Sequence, residues 1–318
     1  MPPHNATAAI RNAISTADAQ LIERHPWLGR DDAVAAAFFL GSLAFIGVCA
    51  IGWTAGMLPT LATIVLITIG ISVLHEMEHD LIHDLYLSHP IVRGVVLTTI
   101  WFAKASLDPW KRTRLHLWHH KVSGQEEDVE ERLIGMGMSW GPVRALVTLF
   151  PLMGLIAMPG IERALKARSA QGARHPDLDP PMDRYRSPLN TVFFLMPIVA
   201  AAAWLAGASW AVPVLVLWIL PNVLRHTSIV VMSSNSHYVD ISRGRLIEQN
   251  QILDHWMFWP LQLMCWNFGA THVVHHFYVR QAFWRRTLVF RQVRSVMVEN
   301  GVHANDLGTF ARANRRIA

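Results

Sequence analysis

Apolar residues run almost without interruption from Ala33 to Trp53 and again from Leu58 to about Leu74, with the short turn Thr54-Ala-Gly-Met-Leu-Pro59 between them. Each run approaches the roughly 20 residues a helix needs to cross the hydrocarbon core of a bilayer. The pattern therefore predicts a helical hairpin over 33–74. It recurs at Leu189 to Leu205 and Trp210 to about Val231, joined around Gly207-Ala-Ser, which predicts a second hairpin over 189–231. Both hairpins fall in the two long gaps in positive charge, since no Lys or Arg lies between Arg30 and Arg93 or between Arg186 and Arg225. Cytosolic segments carry the excess of Lys and Arg, so both hairpin tips are placed outside and every basic segment, the N-terminus included, in the cytosol.

Two further apolar stretches, Ile91 to Ala105 and Val143 to Met158, are flanked by basic residues on both sides. Crossing at either would put basic segments on opposite sides of the membrane, so both read as interfacial or re-entrant. The expected architecture is all-α and integral to the cell's inner or plasma membrane, with four spanning helices and a cytosolic cap. It forms one domain over 1–318: an N-terminal segment 1–30, the first hairpin, a cytosolic and interfacial region 75–188, the second hairpin, and a cytosolic region 232–318. Residues 1–30 are polar and lack the apolar core of a signal peptide. Arg168 to Pro188, rich in Pro, Asp and Arg, reads as a mobile cytosolic loop.

Composition supports this reading. The 318-residue chain is 52% hydrophobic and only 16% charged, with a mean hydropathy of +0.26, against about a quarter charged in soluble domains. A net charge of +5 suits a rim facing anionic lipid, and nothing points to nucleic acid. The 2 cysteines, Cys49 and Cys265, are too few for a disulfide framework or a cysteine metal site.

What is over-supplied is histidine, at 17 residues. His75, His79 and His83 stand at intervals of four in HEMEHDLIHD, on one helical face. His116, His119 and His120 read HLWHH, and His272, His275 and His276 read HVVHH. All three clusters fall on the cytosolic side of the topology drawn from Lys and Arg alone, so they can converge. Imidazoles gathered at membrane depth repel one another if protonated, and a bound cation is the simplest agent that keeps them neutral and ordered. Eight or more are too many for one zinc, which takes about four ligands. Two metals fit, and imidazole suits Fe, Zn, Cu and Ni alike.

HxxxH at 75 and 79, with HxxHH at 116–120 and at 272–276, resembles the membrane fatty acid desaturase and hydroxylase superfamily in box order, box spacing and two-hairpin topology, over roughly Ala33 to Arg286. The resemblance implies a non-haem diiron centre, with O2 as co-substrate, that attacks an unactivated C–H bond. It makes His75, His79, His116, His119, His120, His272, His275 and His276 iron ligands, with one more histidine from the region after the last spanning helix. His237 in SSNSHYVD is the first choice for that position; His226 in PNVLRH is the second, with Asn222 one turn earlier. On one continuous helix His226 and His237 face the same way. His83 reads as a further ligand, as a group supporting the ligands or as one facing solvent; Asp84, Asp128 and Asn235 are further candidates for a ligand or supporting role.

The implied substrate is a lipid or fatty acyl chain, with desaturation first and hydroxylation of alkyl or carotenoid substrates, or terminal-alkene-forming decarboxylation, as alternatives. The sequence shows no flavin, nicotinamide or fused haem motif, so electrons come from outside, from a ferredoxin, a rubredoxin or a similar donor. Arg280, Arg285, Arg286, Arg291 and Arg294 offer such a donor a basic group, or else anchor the chain at the membrane. Aromatic residues near the third box, Trp256, Trp259, Trp266 and Phe268, read either as channel lining or as an interfacial belt. A rival reading takes HExxH at 75–79 as a zinc hydrolase motif with Glu76 as base, but it leaves both HxxHH boxes without a role.

Overall fold

The computed structural model describes residues 3–125, 127–150, 160, 163, 188–239 and 245–316. Among these the chain is helical apart from short pieces such as the two-residue parallel pairing of β1 (Gln251–Ile252) with β2 (His303–Ala304). Helix α1 (Pro3–Arg24) leads to α2 (Asp31–Thr54), which opens on Asp31 and Asp32, a charge that suits a helix N-terminus. Pro59, in an extended conformation, starts α3 (Thr60–Ile82). Cys49 of α2 meets Ile67 and Ile71 of α3 in one apolar cluster.

Next come α4 (Pro90–Lys104) and α5 (Pro109–Val122), each with proline in the first turn, where the missing N–H has no helical partner to lose. Ala105, at φ 45°, ends α4 in the left-handed region, and the two helices meet at 89°. Asp108 then caps α5 by accepting from the backbone N–H groups of Trp110 (3.1 Å) and Lys111 (3.2 Å). The remaining helices are α6 (Val129–Leu133), α7 (Pro142–Leu149), α8 (Pro188–Leu205), α9 (Ala211–Ser236), α10 (Leu246–Gln249), α11 (Trp259–Met264), α12 (Phe268–Phe277) and α13 (Phe283–Glu299).

Three of these helices, α2, α3 and α9, are long and apolar enough to cross a membrane. Leu40, Val48 and Ile51 on α2 are 63–69% exposed, a contiguous apolar surface that lipid has to cover. The expected fourth span, Leu189–Leu205, is apolar but shorter, and α4 with α5 forms a bent apolar pair that counts as one broken span or as a re-entrant segment. Of the expected interfacial stretch 143–158, only the part up to Phe150 is described, as α7. The loop expected over 168–188 lies outside the described residues, apart from Pro188 at the start of α8.

Helix α3 is central, and every residue from Gly70 to Ile82 is buried. Thr68 Oγ1 donates to the carbonyl of Pro221 on α9 (3.2 Å), and Ser72 Oγ donates to the carbonyl of Met264. Inside α9 the stretch Leu215–Ile219 is a π-helical turn. Pro221 follows it and cannot donate to the preceding turn, while Asn222 Nδ2 donates to the Trp218 carbonyl at 3.0 Å. Beyond the membrane helices, Ile10, Ile14 and Ala17 of α1 pack on Val289, Val293 and Met297 of α13. Burial of each isoleucine is worth about 1.5–3 kcal/mol at most and holds α1 against α13.

Candidate metal centre

Three helices carry the histidines toward one point. The C-terminal end of α3 supplies His79, and His83 caps it. Helix α5 supplies His116, His119 and His120 at i, i+3 and i+4, so they share a face. Helix α12 supplies His272, His275 and His276, and its close seat depends on Gly269. A Cβ there would lie 2.1 Å from Met232 Cε and 3.0 Å from the Leu253 carbonyl oxygen. The last histidine comes from the point where α9 stops. His237 leaves the helix in an extended conformation (φ −115°, ψ 145°), which turns its ring inward.

These side chains sort into two groups, and within each the ligand nitrogens lie within 4.8 Å of one another. His79, His83, His116, His120 and His275 form the first; His119, His237, His272 and His276 form the second. Adjacent residues on α5 and α12 are shared out between the groups, which therefore abut: the rings of His120 and His276 are 4.5 Å apart. In the first group the Nε2–Nε2 separations are 3.0 Å (His120–His275), 3.1 Å (His83–His275) and 3.1 Å (His116–His120). In the second they are 3.0 Å (His237–His272), 3.1 Å (His272–His276) and 3.2 Å (His119–His276).

The donor set fits a metal at each group. Imidazole nitrogens bound at about 2.1 Å and at right angles to one another are about 3.0 Å apart, which is the spacing found. Only one proton can sit between two facing nitrogens, so packing this many together leaves lone pairs opposed unless an ion accepts them. Nε2 of His79 is buried with no hydrogen-bonding partner. Burial above all, helped by neighbouring imidazoles, holds His237, His272, His275 and His276 well below the ordinary histidine pKa. They are therefore neutral, the form that binds metal. An all-imidazole set suits first-row transition metals rather than calcium or magnesium.

Carboxylates fix two of the rings from behind. His119 Nδ1–H donates to Asp128 Oδ2 at 2.9 Å, and His116 Nδ1–H donates to Glu130 Oε2 at 2.7 Å. This leaves each Nε2 lone pair free for a metal. Asp128 is itself held, because its Oδ1 accepts from the backbone N–H of Glu131 (3.3 Å) at the start of α6. Nδ1 of His237 lies 3.1 Å from the Ser123 hydroxyl. Arg286 sits 3.5 Å from Nδ1 of both His79 and His275, and is bound to Glu76 (2.7 Å) and Asp80 (2.9 Å).

The structure brings seven of the eight box histidines together with His237, and of the further candidates it gathers His83. His75 belongs to neither group: its Nδ1 lies 3.4 Å from Arg225, and it lines the adjoining cavity. The two histidines of the HExxH reading are thus not gathered into one group, and Glu76 is paired with Arg286. His226 is also outside, donating to the Val147 carbonyl at 3.0 Å. Asn222 Nδ2 donates to the Ala103 carbonyl (2.8 Å), and Asn235 Nδ2 donates to the Val231 carbonyl (2.8 Å). Asp84 is exposed and paired with Arg93. Asp128 alone of the proposed supporting acids or amides touches a grouped histidine.

Sequence reasoning missed Glu130, Ser123 and the position of Arg286, and nothing in the local pattern separates Glu130 from the acids around it. The proposed basic docking group does not survive as a unit. Arg286 is buried at the centre, Arg285 is buried against Asp18 and Asp31, and Arg294 is bound to Asp254; Arg280 and Arg291 remain exposed. Of the aromatic candidates, Phe268 lines the cavity and stacks on His272 with ring centroids 4.2 Å apart. Trp256 and Trp259 are on the surface, and Trp266 packs on Phe38.

A cavity of about 140 Å³ opens beside the histidines, with His79, His116, His119 and His272 on its wall. Comparison with protein families matches a model described as fatty acid desaturase to residues 51–308, a stretch that carries every grouped histidine. No curated protein matches the chain.

Proposed function

The chain belongs to the fatty acid desaturase family, and from that premise we propose that it is an O2-dependent diiron oxidoreductase acting on an unactivated C–H bond of a lipid chain. The reaction we favour is desaturation of a fatty acyl chain, with hydroxylation and terminal-alkene-forming decarboxylation as the alternatives within the same chemistry. The observation that carries this reading is the pair of abutting imidazole groups, five nitrogens in one and four in the other, at the end of a membrane-type helix, with every residue buried except the half-buried His83 and His120.

In the proposed centre His79, His83, His116, His120 and His275 hold one iron, and His119, His237, His272 and His276 hold the other. The iron pair supplies the redox capacity to activate O2, which zinc lacks. The protein's own part is to orient and to exclude. Asp128 and Glu130 keep the Nδ1 protons of His119 and His116, so Nε2 faces inward. Arg286, Glu76 and Asp80 form a buried ion cluster that fixes the end of α3 against α13. Apolar side chains on the cavity wall, among them Leu115, Ile229 and Phe268, keep water from the reacting carbon.

The histidine face and the N-terminus are assigned to the cytosol, following the distribution of Lys and Arg, and electrons are assigned to a ferredoxin- or rubredoxin-like donor. The test is metal content per chain of detergent-purified protein from iron-replete cells, followed by product analysis with fatty acids, a ferredoxin and its reductase. About two irons per chain and an unsaturated, hydroxylated or chain-shortened product are expected. One zinc and no iron in active protein would overturn the proposal.

A further inference from the structure

In the same cavity lies a cluster of cationic side chains that belong to neither histidine group. Lys104 and Arg225 are buried there and Arg112 is half-buried, and all three line the cavity. Glu78 is bound by two of them, Lys104 and Arg112, the latter at 2.8 Å. Glu130, on the same wall, is taken up by His116 and by Arg112 (3.3 Å), and Glu131 accepts from Ser233 (2.9 Å). Arg225 is left over. It is 2% exposed, its Nε has no hydrogen-bonding partner, and among the described residues its one hydrogen-bond contact is with His75. The hydroxyl of Ser106, also on the wall, is buried without a partner.

Among the described residues no carboxylate is hydrogen-bonded to Arg225, and Glu78, the carboxylate that acts on it electrostatically, is already bound by Lys104 and Arg112; a buried guanidinium without a partner of its own costs several kcal/mol. Arg225 and Lys104 carry donors only, and Ser106 has a proton to give, so what the cluster lacks is an anion with two acceptor oxygens. The rest of the wall is largely apolar, with Leu107, Ile229 and Val230 close in sequence to these donors. An anion with an apolar tail meets both conditions.

Resting on the proposed oxidative function, we infer that Arg225, assisted by Ser106 and Lys104, seats the carboxylate of the substrate, so that the lipid is taken as a free carboxylic acid rather than as a thioester or glycerol ester. Because the seat and the histidines share one cavity, the carbons nearest the carboxyl group are the ones presented to the metal centre.

The test measures binding on the full-length protein in detergent, with iron content determined for each preparation. Radiolabelled dodecanoate is competed by unlabelled dodecanoate, methyl dodecanoate, dodecanol, acetate and phosphate. Dodecanoate is expected to compete at least about 30-fold better than the two neutral lipids, the scale of one buried charged hydrogen bond. Arg225→Gln is expected to lose that preference while keeping its iron, and Arg225→Lys to recover part of it. Should Arg225→Gln fail to fold, Ser106→Ala is expected to weaken dodecanoate several-fold with the neutral lipids unaffected. Equal competition by methyl dodecanoate and dodecanol overturns the inference, as does full acid preference in Arg225→Gln. Acetate or phosphate competing as well as dodecanoate overturns the lipid assignment in favour of a small-anion site. Acid-selective binding through Arg225 in protein without iron leaves the seat intact and removes the oxidative function; two irons without acid selectivity do the reverse.

Discussion

Replacing His83 by Ala, with His75→Ala as its counterpart, tests which end of the first histidine cluster holds metal. His83 contributes one of five nitrogens in the first group, its Nε2 3.1 Å from that of His275, whereas His75 contributes to neither group. Losing a residue that merely supports a ligand already costs about 10–100-fold in metal affinity. Removing a ligand should cost at least that much, or upward of about 1.4–2.7 kcal/mol. His75→Ala removes only a 3.4 Å contact with Arg225, worth about 1.5–3 kcal/mol of stability for hydrogen bonds to a charged group and nothing at the metal. The assay is iron per chain by mass spectrometry, before and after titration with a chelator. His83→Ala is expected to release one iron at chelator concentrations that wild type and His75→Ala withstand. Retention of both irons by His83→Ala together with their loss from His75→Ala would refute the assignment and restore the pair at 75 and 79.

Asp128→Ala and Glu130→Ala are expected to lower iron retention about 10–100-fold each, since each leaves one imidazole without its Nδ1 partner; unchanged chelator sensitivity would show that these carboxylates do not orient the ligands. Gly269→Ala places a methyl 2.1 Å from Met232 Cε, where the thioether can move, and 3.0 Å from a backbone carbonyl, which cannot. An overpacking cost of about 1–3 kcal/mol is expected, read as a lower melting temperature with weaker iron retention, and a wild-type melting curve would mean that α12 seats less tightly than described.

Much of the site was legible because its signals are local. A run of apolar residues without Lys or Arg reports a bilayer whatever the rest of the chain does, and α2, α3 and most of α9 were readable that way. Seven box histidines were equally plain, since HxxHH on a helix places its members on one face wherever that helix lies. Leu189–Leu205 was harder, because an apolar run fixes composition but not whether the helix that forms is long enough to cross. The arginines after the third box illustrate the opposite limit. A charge run looks solvated until a partner is known, and the partners of Arg286 are about two hundred positions away, at Glu76 and Asp80.

Two choices among histidines mark the boundary most clearly. His226 and His237 share a helical face only while the helix continues, and it ends at Ser236, so that His237 turns inward and His226 stays on the wall. His75, His79 and His83 fan across about 80° of one helix surface at 3.6 residues per turn, and HxxxH matches at either end of that fan. The chain by itself determined that imidazoles would gather at the end of α3. Which of them meet the rings of α5 and α12 was decided by how these helices pack, because periodicity defines a face and only a neighbouring helix defines the direction that face must look.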